Sequence, residues 1–122
     1  MKKLFISCPM KGRTDENIRK SIEKMHVLAE IIYNQELEVI PTLIEEDPPE
    51  NVHEPIWYLG QSILMLSEAD YFIGIDSRFW QKYKGCGIEA RVAMGYNTPI
   101  CLIDPKTIMP DIFKKKKEVK HE

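Results

Sequence analysis

The 122-residue sequence lacks a long hydrophobic run, because no apolar stretch approaches the roughly 20 residues that a membrane-spanning helix needs. Residues 1–3 lead into only a few apolar residues, so we expect neither a transmembrane protein nor a secretory signal. Internal repeats are also absent. The length is that of one domain, and we expect residues 1–113 to form it.

Cysteine and histidine are scarce. The three cysteines, Cys8, Cys86 and Cys101, are odd in number and lack the paired spacing of metal sites. This argues against a disulfide scaffold and a zinc ribbon, and it fits a reducing cytoplasm. The three histidines show no ligand spacing. The sequence therefore implies no metal and no organic cofactor.

The chain also lacks the excess of positive charge that nucleic-acid-binding domains carry. Its net charge is −2, and residues 114–122 hold five of the basic residues. Without that tail, 12 basic and 17 acidic residues remain, which gives residues 1–113 a net charge of about −5. A domain with a net negative charge repels phosphate backbones, so we expect no nucleic-acid partner. We expect the tail to be solvated and flexible, the alternative being contact with an acidic partner.

Short apolar runs alternate with amphipathic stretches in βαβαβ fashion. This order indicates a parallel sheet with helices on both faces. The predicted fold class is α/β, a three-layer flavodoxin-like sheet of about four or five strands. The predicted strands are residues 4–6, 37–40, 70–75 and 100–103, and the predicted helices are residues 14–34, 55–68 and 88–96. The apolar stripes predicted to be buried are Ile18, Ile22, Met25, Leu28 and Ile32 on the first helix, and Ile56, Leu59, Ile63 and Leu66 on the second.

Three segments should meet at one edge of such a sheet, since ligands bind outside the carboxyl ends of parallel strands. They are residues 7–13, 41–54 and 76–87. The second is acidic and is expected to form an exposed loop or a lid. In the third, two glycines flank Cys86 at a helix start, where free N–H groups could meet a phosphate. Glu89 is expected in the first turn of that helix, either facing a ligand or complementing the helix dipole.

Three parts of the sequence also match a known pattern in order: residues 5–12, residues 57–70 and the Gly-x-Gly-x-Glu segment of residues 85–90. They resemble the small nucleoside 2-deoxyribosyltransferase-like proteins, which are common in bacteriophages and prophages. The resemblance spans residues 3–103. In the catalytic relatives the glutamate attacks the anomeric carbon of the sugar. The resemblance therefore implies that Glu89 acts as nucleophile or cation stabiliser in N-glycosidic cleavage or base exchange.

The chain departs from those relatives at two places. Counting back eight residues from Asp70, where they carry an aspartate, gives Ser62, and Ala90-Arg91 replaces a short residue and glycine. Asp76 is a candidate substitute for the missing acid. Two functions therefore stay open: an enzyme acting on a nucleoside or nucleotide, and a phage-type binder that sequesters a host immune signalling nucleotide. A structural oligomer is a third hypothesis, and by analogy we expect a homo-oligomer.

Several predicted site residues have a second interpretation. Arg13 either neutralises a phosphate or is a solvated loop residue, and Trp57 either stacks on a base or lies in the core. The position of Cys86 could lower its thiol pKa, yet no histidine is placed near it, so we do not expect a catalytic cysteine. The predicted catalytic residues are Glu89 and Asp76, and the predicted ligand-binding residues are Ser7, Cys8, Pro9, Met10, Lys11, Gly12, Arg13, Ser62, Trp80, Tyr83, Gly85, Cys86 and Gly87.

Overall fold

Within residues 1–113, four parallel strands run through the centre of the molecule. The computed structural model describes residues 1–113, and the predicted tail lies outside them. This parallel α/β sheet confirms the predicted class and is consistent with a flavodoxin-like fold. The strands are β1 (Lys2–Ile6), β2 (Leu37–Val39), β3 (Tyr71–Ile75) and β4 (Ile100–Ile103). Their order in the sheet is β2-β1-β3-β4.

Three helices connect the strands, and their ends follow capping rules. The Thr14 hydroxyl accepts a hydrogen bond from the N–H of Asn17 at 3.1 Å, while Asn34 ends the same helix in the left-handed region with φ 56°. The second helix has a proline in its first turn. The helices are α1 (Asp15–Tyr33), α2 (Glu54–Leu66) and α3 (Lys84–Gly95), and 3-10 turns cover Ser77–Phe79, Pro105–Thr107 and Pro110–Phe113.

Helices cover both faces of the sheet. Leu4 of β1 packs in one buried cluster together with Met25 of α1. The next residue, Phe5, points to the opposite face and packs with Leu66 of α2 and Ala90 of α3. Because successive side chains of a strand point to opposite faces, the two clusters form separate layers of core on either side of the sheet. The three-layer prediction is therefore confirmed.

Two residues of the predicted apolar stripes are exposed. Ile32 is 49% exposed, because the fully buried row on α1 runs through Ser21, Met25 and Ala29 at steps of four and leaves it to one side. Ile56 is 65% exposed in the first turn of α2, next to a chain segment that is itself exposed. Burial was wrongly predicted at both positions.

Helix α3 begins at Lys84, four residues earlier than predicted. Gly87 therefore lies inside the helix, and a Cβ added there would lie 2.8 Å from the Cβ of Trp80. The glycine allows close packing of the helix on the indole and is not needed for a turn. Glu89 consequently lies in the second turn of α3, so its predicted place in the first turn was wrong. Within residues 1–113, no helix is long and apolar enough to cross a membrane.

Candidate functional site

A cavity of about 500 Å³ opens at the carboxyl ends of the strands. Residues from all three segments that the sequence predicts at this edge contribute to it, together with one face of α2. Its size suits a small organic ligand, since such pockets span roughly 300–1,000 Å³. The lining residues are Phe5, Ile6, Cys8, Pro9, Met10, Lys11, Thr42, Leu43, Ile44, Tyr58, Leu59, Ser62, Lys82, Tyr83, Lys84, Gly85, Cys86 and Glu89.

Glu89 is held in this cavity by two serine hydroxyls. Ser7 donates a hydrogen bond to Glu89 Oε1 at 2.6 Å, and Ser62 donates one to Glu89 Oε2 at 2.6 Å. The backbone of Ser7 is itself fixed, because its N–H donates to the carbonyl of Ile73 at 2.9 Å and continues the pairing of β1 with β3. Groups from β1, α2 and α3 thus converge on one carboxylate.

Burial raises the pKa of Glu89 above its ordinary value, although the bonds from Ser62 and Ser7 act in the opposite direction. Among residues 1–113, no basic side chain lies within 4.0 Å of this carboxylate to offset its desolvation. The hydroxyl of Ser62 also lies 3.0 Å from the carbonyl of Leu59. A serine has one hydroxyl hydrogen, so Ser62 either shares it between Leu59 and Glu89, or donates it to Leu59 while a protonated Glu89 donates to Ser62.

Two cysteines that line the cavity are buried, which disfavours their thiolate forms. Burial raises the pKa of Cys86 to about 12 and that of Cys8 to about 11. The pKa of Cys8 is raised even though the charge of Arg13 and its hydrogen bond to the thiol act in the opposite direction. The pKa of Cys86 is thus raised and not lowered as its position before the helix suggested, because burial outweighs the hydrogen bond with Ser7.

Arg13 is neither a phosphate ligand in this cavity nor a solvated loop residue. Its side chain is only 2% exposed, and it makes a two-point contact with Asp111, through Nε at 2.8 Å and Nη2 at 2.9 Å. It also donates to the hydroxyl of Ser21 at 2.7 Å and to the carbonyl of Pro9 at 2.8 Å. The arginine thereby ties the loop after β1 to α1 and to the chain after β4. Gly12, predicted as a ligand residue, makes the turn before it at φ 73° and does not line the cavity.

Asp76 does not reach the Glu89 cavity. Its carboxylate caps the 3-10 turn that follows β3 and pairs with Arg78, whose Nη2 lies 2.6 Å from Asp76 Oδ2. These bonds lower the pKa of Asp76, which is the reverse of what a proton donor near neutral pH needs. The prediction that Asp76 replaces the missing acid is corrected on both grounds.

Two further predicted ligand residues, Trp80 and Gly87, pack against each other. Trp80 donates from Nε1 to the carbonyl of Ile75 at 2.9 Å, and its ring lies against Gly87 and under the guanidinium of Arg91. The N–H of Gly87 donates to the carbonyl of Tyr83 at 3.3 Å, so it is not free for a phosphate. Neither residue lines the cavity.

Some lining residues were missed by the sequence analysis. Thr42, Leu43 and Ile44 line the cavity but were not singled out within the segment that we expected to be an exposed loop or a lid. That segment is mostly exposed, as predicted. Lys82 and Lys84 were within a recognised loop segment but were not singled out. Tyr58 precedes Ser62 by four positions, and this helical spacing could have placed both on one face of α2.

Within the described part of the chain, no group of three or more histidine, cysteine, aspartate and glutamate side chains is arranged to hold a metal ion. The chemistry available in the cavity is that of one carboxylate, hydroxyl groups, aromatic rings and lysines. Comparisons of the chain with protein-family models, with curated proteins and with solved structures found no match.

Proposed function

We propose that the cavity binds a nucleoside- or nucleotide-derived small molecule and that Glu89 acts at its N-glycosidic bond, cleaving or exchanging it. The observation that carries this proposal is the carboxylate of Glu89, placed in a largely apolar cavity and held at both oxygens by Ser7 and Ser62. The resemblance of residues 3–103 to nucleoside 2-deoxyribosyltransferase-like proteins supports the same role and the same fold family.

The contacts support a specific division of roles. When the N-glycosidic bond breaks, the base leaves with the bonding electrons and takes a proton from water, and the sugar gains oxocarbenium character that an ionised Glu89 can stabilise or capture at the anomeric carbon. Water (in cleavage) or a second base (in exchange) then bonds to the anomeric carbon, loses a proton and frees the Glu89 carboxylate. Ser7 and Ser62 fix the direction of the two oxygens, so the carboxylate is oriented before the ligand arrives. Tyr58 and Tyr83 offer aromatic rings against which a base can pack. No part of this scheme uses a metal or an organic cofactor.

A second candidate function is binding without cleavage. The cavity lining contains one carboxylate, that of Glu89. Ser62 occupies the position where the catalytic relatives carry an aspartate, and Asp76 is engaged with Arg78 instead of replacing it. A protein with this cavity and no second acid would hold a nucleotide intact, as a phage protein that sequesters a host immune signalling nucleotide would.

Product analysis separates the two functions. The purified 122-residue chain is incubated with a panel of nucleosides and nucleotides, and both the solution and the protein-bound fraction are analysed by mass spectrometry. Free base, sugar or sugar phosphate in excess of a protein-free control supports the enzyme. An intact ligand released only on denaturing the protein supports the binder. Absence of both turnover and retained ligand across the panel contradicts the proposed function.

We also propose that the chain self-associates, by analogy with relatives whose neighbouring subunits complete each pocket. Apolar side chains such as Ile56 and Leu64 of α2 are 65% and 64% exposed and would be covered in an oligomer. Light scattering at micromolar concentration should therefore show more than one subunit. A strict monomer would contradict this part of the proposal.

A further inference from the structure

The strands β2 and β4 form the two edges of the sheet, and the edge at β4 is open. On its inner side, the carbonyl of Ile103 faces β3, because it accepts a hydrogen bond from the N–H of Asp76 at 2.9 Å. The N–H and C=O groups of successive residues in a strand point to opposite sides, so those of Ile100 and Leu102 point outward from the sheet. Within residues 1–113, these outward groups form no hydrogen bond.

The other edge, at β2, is protected by side chains of α1. The N–H of Leu37 donates a hydrogen bond to Glu30 Oε2 at 2.9 Å, and the carbonyl of Leu37 accepts one from His26 Nε2 at 2.9 Å. The next residue, Glu38, is charged and exposed. Proteins use such covering groups and charges to keep an edge strand from pairing with another chain. The strand β4 contains no charged residue, and its edge lacks this protection.

The side chains of β4 are apolar on both faces of the sheet. Ile100 and Leu102 pack against the buried cluster on the side of α3, while Cys101 and Ile103 pack against the cluster on the side of α1. All four residues are half-buried, so each also offers apolar surface at the edge. A strand that pairs with β4 therefore has to be apolar on both of its own faces.

A second copy of β4 meets this requirement, and the rest of the chain does not. After β4 the chain returns toward the loop that follows β1, where Asp111 pairs with Arg13. Residues 114–122 are mostly charged, which suits neither face of the edge. An antiparallel pair of β4 strands, in contrast, matches apolar side chains to apolar side chains on both faces by symmetry.

The two outward residues determine the register of such a pair. When Ile100 of one copy lies opposite Leu102 of the other, every outward N–H and C=O group is used, which gives about four hydrogen bonds around a twofold axis. Any other antiparallel register that pairs outward groups sets one of these residues opposite a residue outside β4. In the full register, Cys101 lies opposite Cys101 of the second copy as a close pair with Cα atoms about 4.5 Å apart.

We propose that the chain forms a twofold dimer in which two β4 strands pair antiparallel and join the two sheets into one, with Cys101 at the axis. The dimer gives the self-association proposed above a defined surface. It rests on the open edge of β4 and does not depend on which molecule the cavity binds.

A disulfide between the two Cys101 side chains tests the pairing directly. With copper(II)–phenanthroline, two copper(II) ions are reduced to copper(I) while two thiols lose their protons and form the disulfide. The expected Cα separation of about 4.5 Å lies within the range of disulfides. We therefore expect a covalent dimer of the wild type, and mass spectrometry of non-reduced peptides should show Cys101 joined to Cys101.

Two variants control this experiment. Cys101→Ser should give no covalent dimer, because Cys8 and Cys86 are each only 7% exposed. Adding Lys24→Cys to Cys101→Ser places a thiol on the exposed face of α1, which packs over β1 and β2 and lies away from β4. This double variant measures random collision and should form at least ten times less covalent dimer than the wild type.

Lysine substitutions compare the two edges without oxidation. Cys101→Lys would set two like charges opposite each other at the axis, so it should be monomeric at micromolar concentrations. Light scattering of the wild type should there give about twice the 14.3 kDa of one chain. Val39→Lys, at the protected edge, and the neutral Cys101→Ser should both remain dimeric. Circular dichroism verifies the fold of each variant, and the disulfide alone decides if a lysine variant is unfolded.

The results that would overturn the inference are distinct. A dimer that forms no Cys101 disulfide, or that persists in a folded Cys101→Lys variant, uses another surface, so the β4 pairing is wrong while the proposed self-association stands. Equal covalent dimer from the Lys24→Cys control would show that collision produces the disulfide, which also overturns the pairing. A strict monomer contradicts both the pairing and the self-association, and it leaves ligand binding in the Glu89 cavity unaffected.

Discussion

Arg13 and Glu89 are two partly buried charged residues at the same edge of the sheet, and the structure uses them differently. Arg13 has the carboxylate of Asp111, a serine hydroxyl and backbone carbonyls as hydrogen-bond acceptors. Glu89 has two hydroxyl donors, no cation within 4.0 Å among residues 1–113, and a cavity beside it. A charge that is fully compensated inside the protein holds elements together. A charge that is compensated only in part, and that borders a cavity, can interact with a ligand.

The largest expected effect on stability comes from removing the charge of Arg13, which Asp111 compensates. Arg13→Met should lower the free energy of unfolding by about 3 kcal/mol, because it removes the two-point partner of Asp111 and the link between three segments. Urea denaturation measures this change. Arg19→Met is the control, since the Arg19–Glu23 pair of α1 is 60% and 64% exposed and should contribute less than about 0.5 kcal/mol. Equal effects of the two substitutions would show that Arg13 is not the structural tie described above.

A smaller effect separates the two glycines before Glu89. Gly87→Ala should destabilise the fold by about 2 kcal/mol, because the new methyl group would lie 2.8 Å from Trp80 Cβ. Gly85→Ala has space and replaces a helical glycine, so it should be neutral or stabilise by up to about 1 kcal/mol. Thermal unfolding of both variants tests the difference. If Gly87→Ala were as stable as Gly85→Ala, close packing on the indole would not explain the second glycine.

The smallest expected effect is the pH dependence of stability that Glu89 causes. Its folded-state pKa is raised above the ordinary 4.5, so above that pH the unfolded chain releases a proton that the folded chain retains. Wild type should therefore lose stability relative to Glu89→Gln as the pH rises from 4.5 through the raised folded-state pKa. Below pH 4.5 the difference should be constant. Urea denaturation of both proteins between pH 4 and 8 measures it, and a wild type that gains relative stability over this range would contradict a raised pKa.

Most of the fold could be predicted because its signals are local. The four apolar runs and the periodic stretches between them are patterns of residues close together in sequence. The helix cap at Thr14 likewise depends only on the three residues after it. The start of α3 was missed because Gly85 and Gly87 are poor helix formers taken alone. The helix extends over them because Gly87 packs on Trp80, a contact that no local pattern reveals.

The site could be predicted only as a region. The rule for parallel sheets and the resemblance both pointed to the carboxyl edge and to Glu89. The partner of Arg13, in contrast, lies 98 residues away in sequence, and Ser7 lies 82 residues from Glu89. Pairings over such distances depend on the tertiary arrangement, which is why Arg13 was expected near a ligand and Asp76 beside Glu89.

The central claim is that Glu89 meets the ligand, and Glu89→Gln tests it most directly because it keeps the size of the side chain and removes its charge. Turnover and nucleotide affinity are measured for wild type, Glu89→Gln and the control Glu68→Gln, whose carboxylate lies on the surface. We expect Glu89→Gln to abolish turnover while binding survives, since the lost interaction is chiefly with the transition-state cation. If wild type only binds, affinity should change by about 1–3 kcal/mol. Turnover and affinity that both match wild type would remove Glu89 from the site and contradict the account.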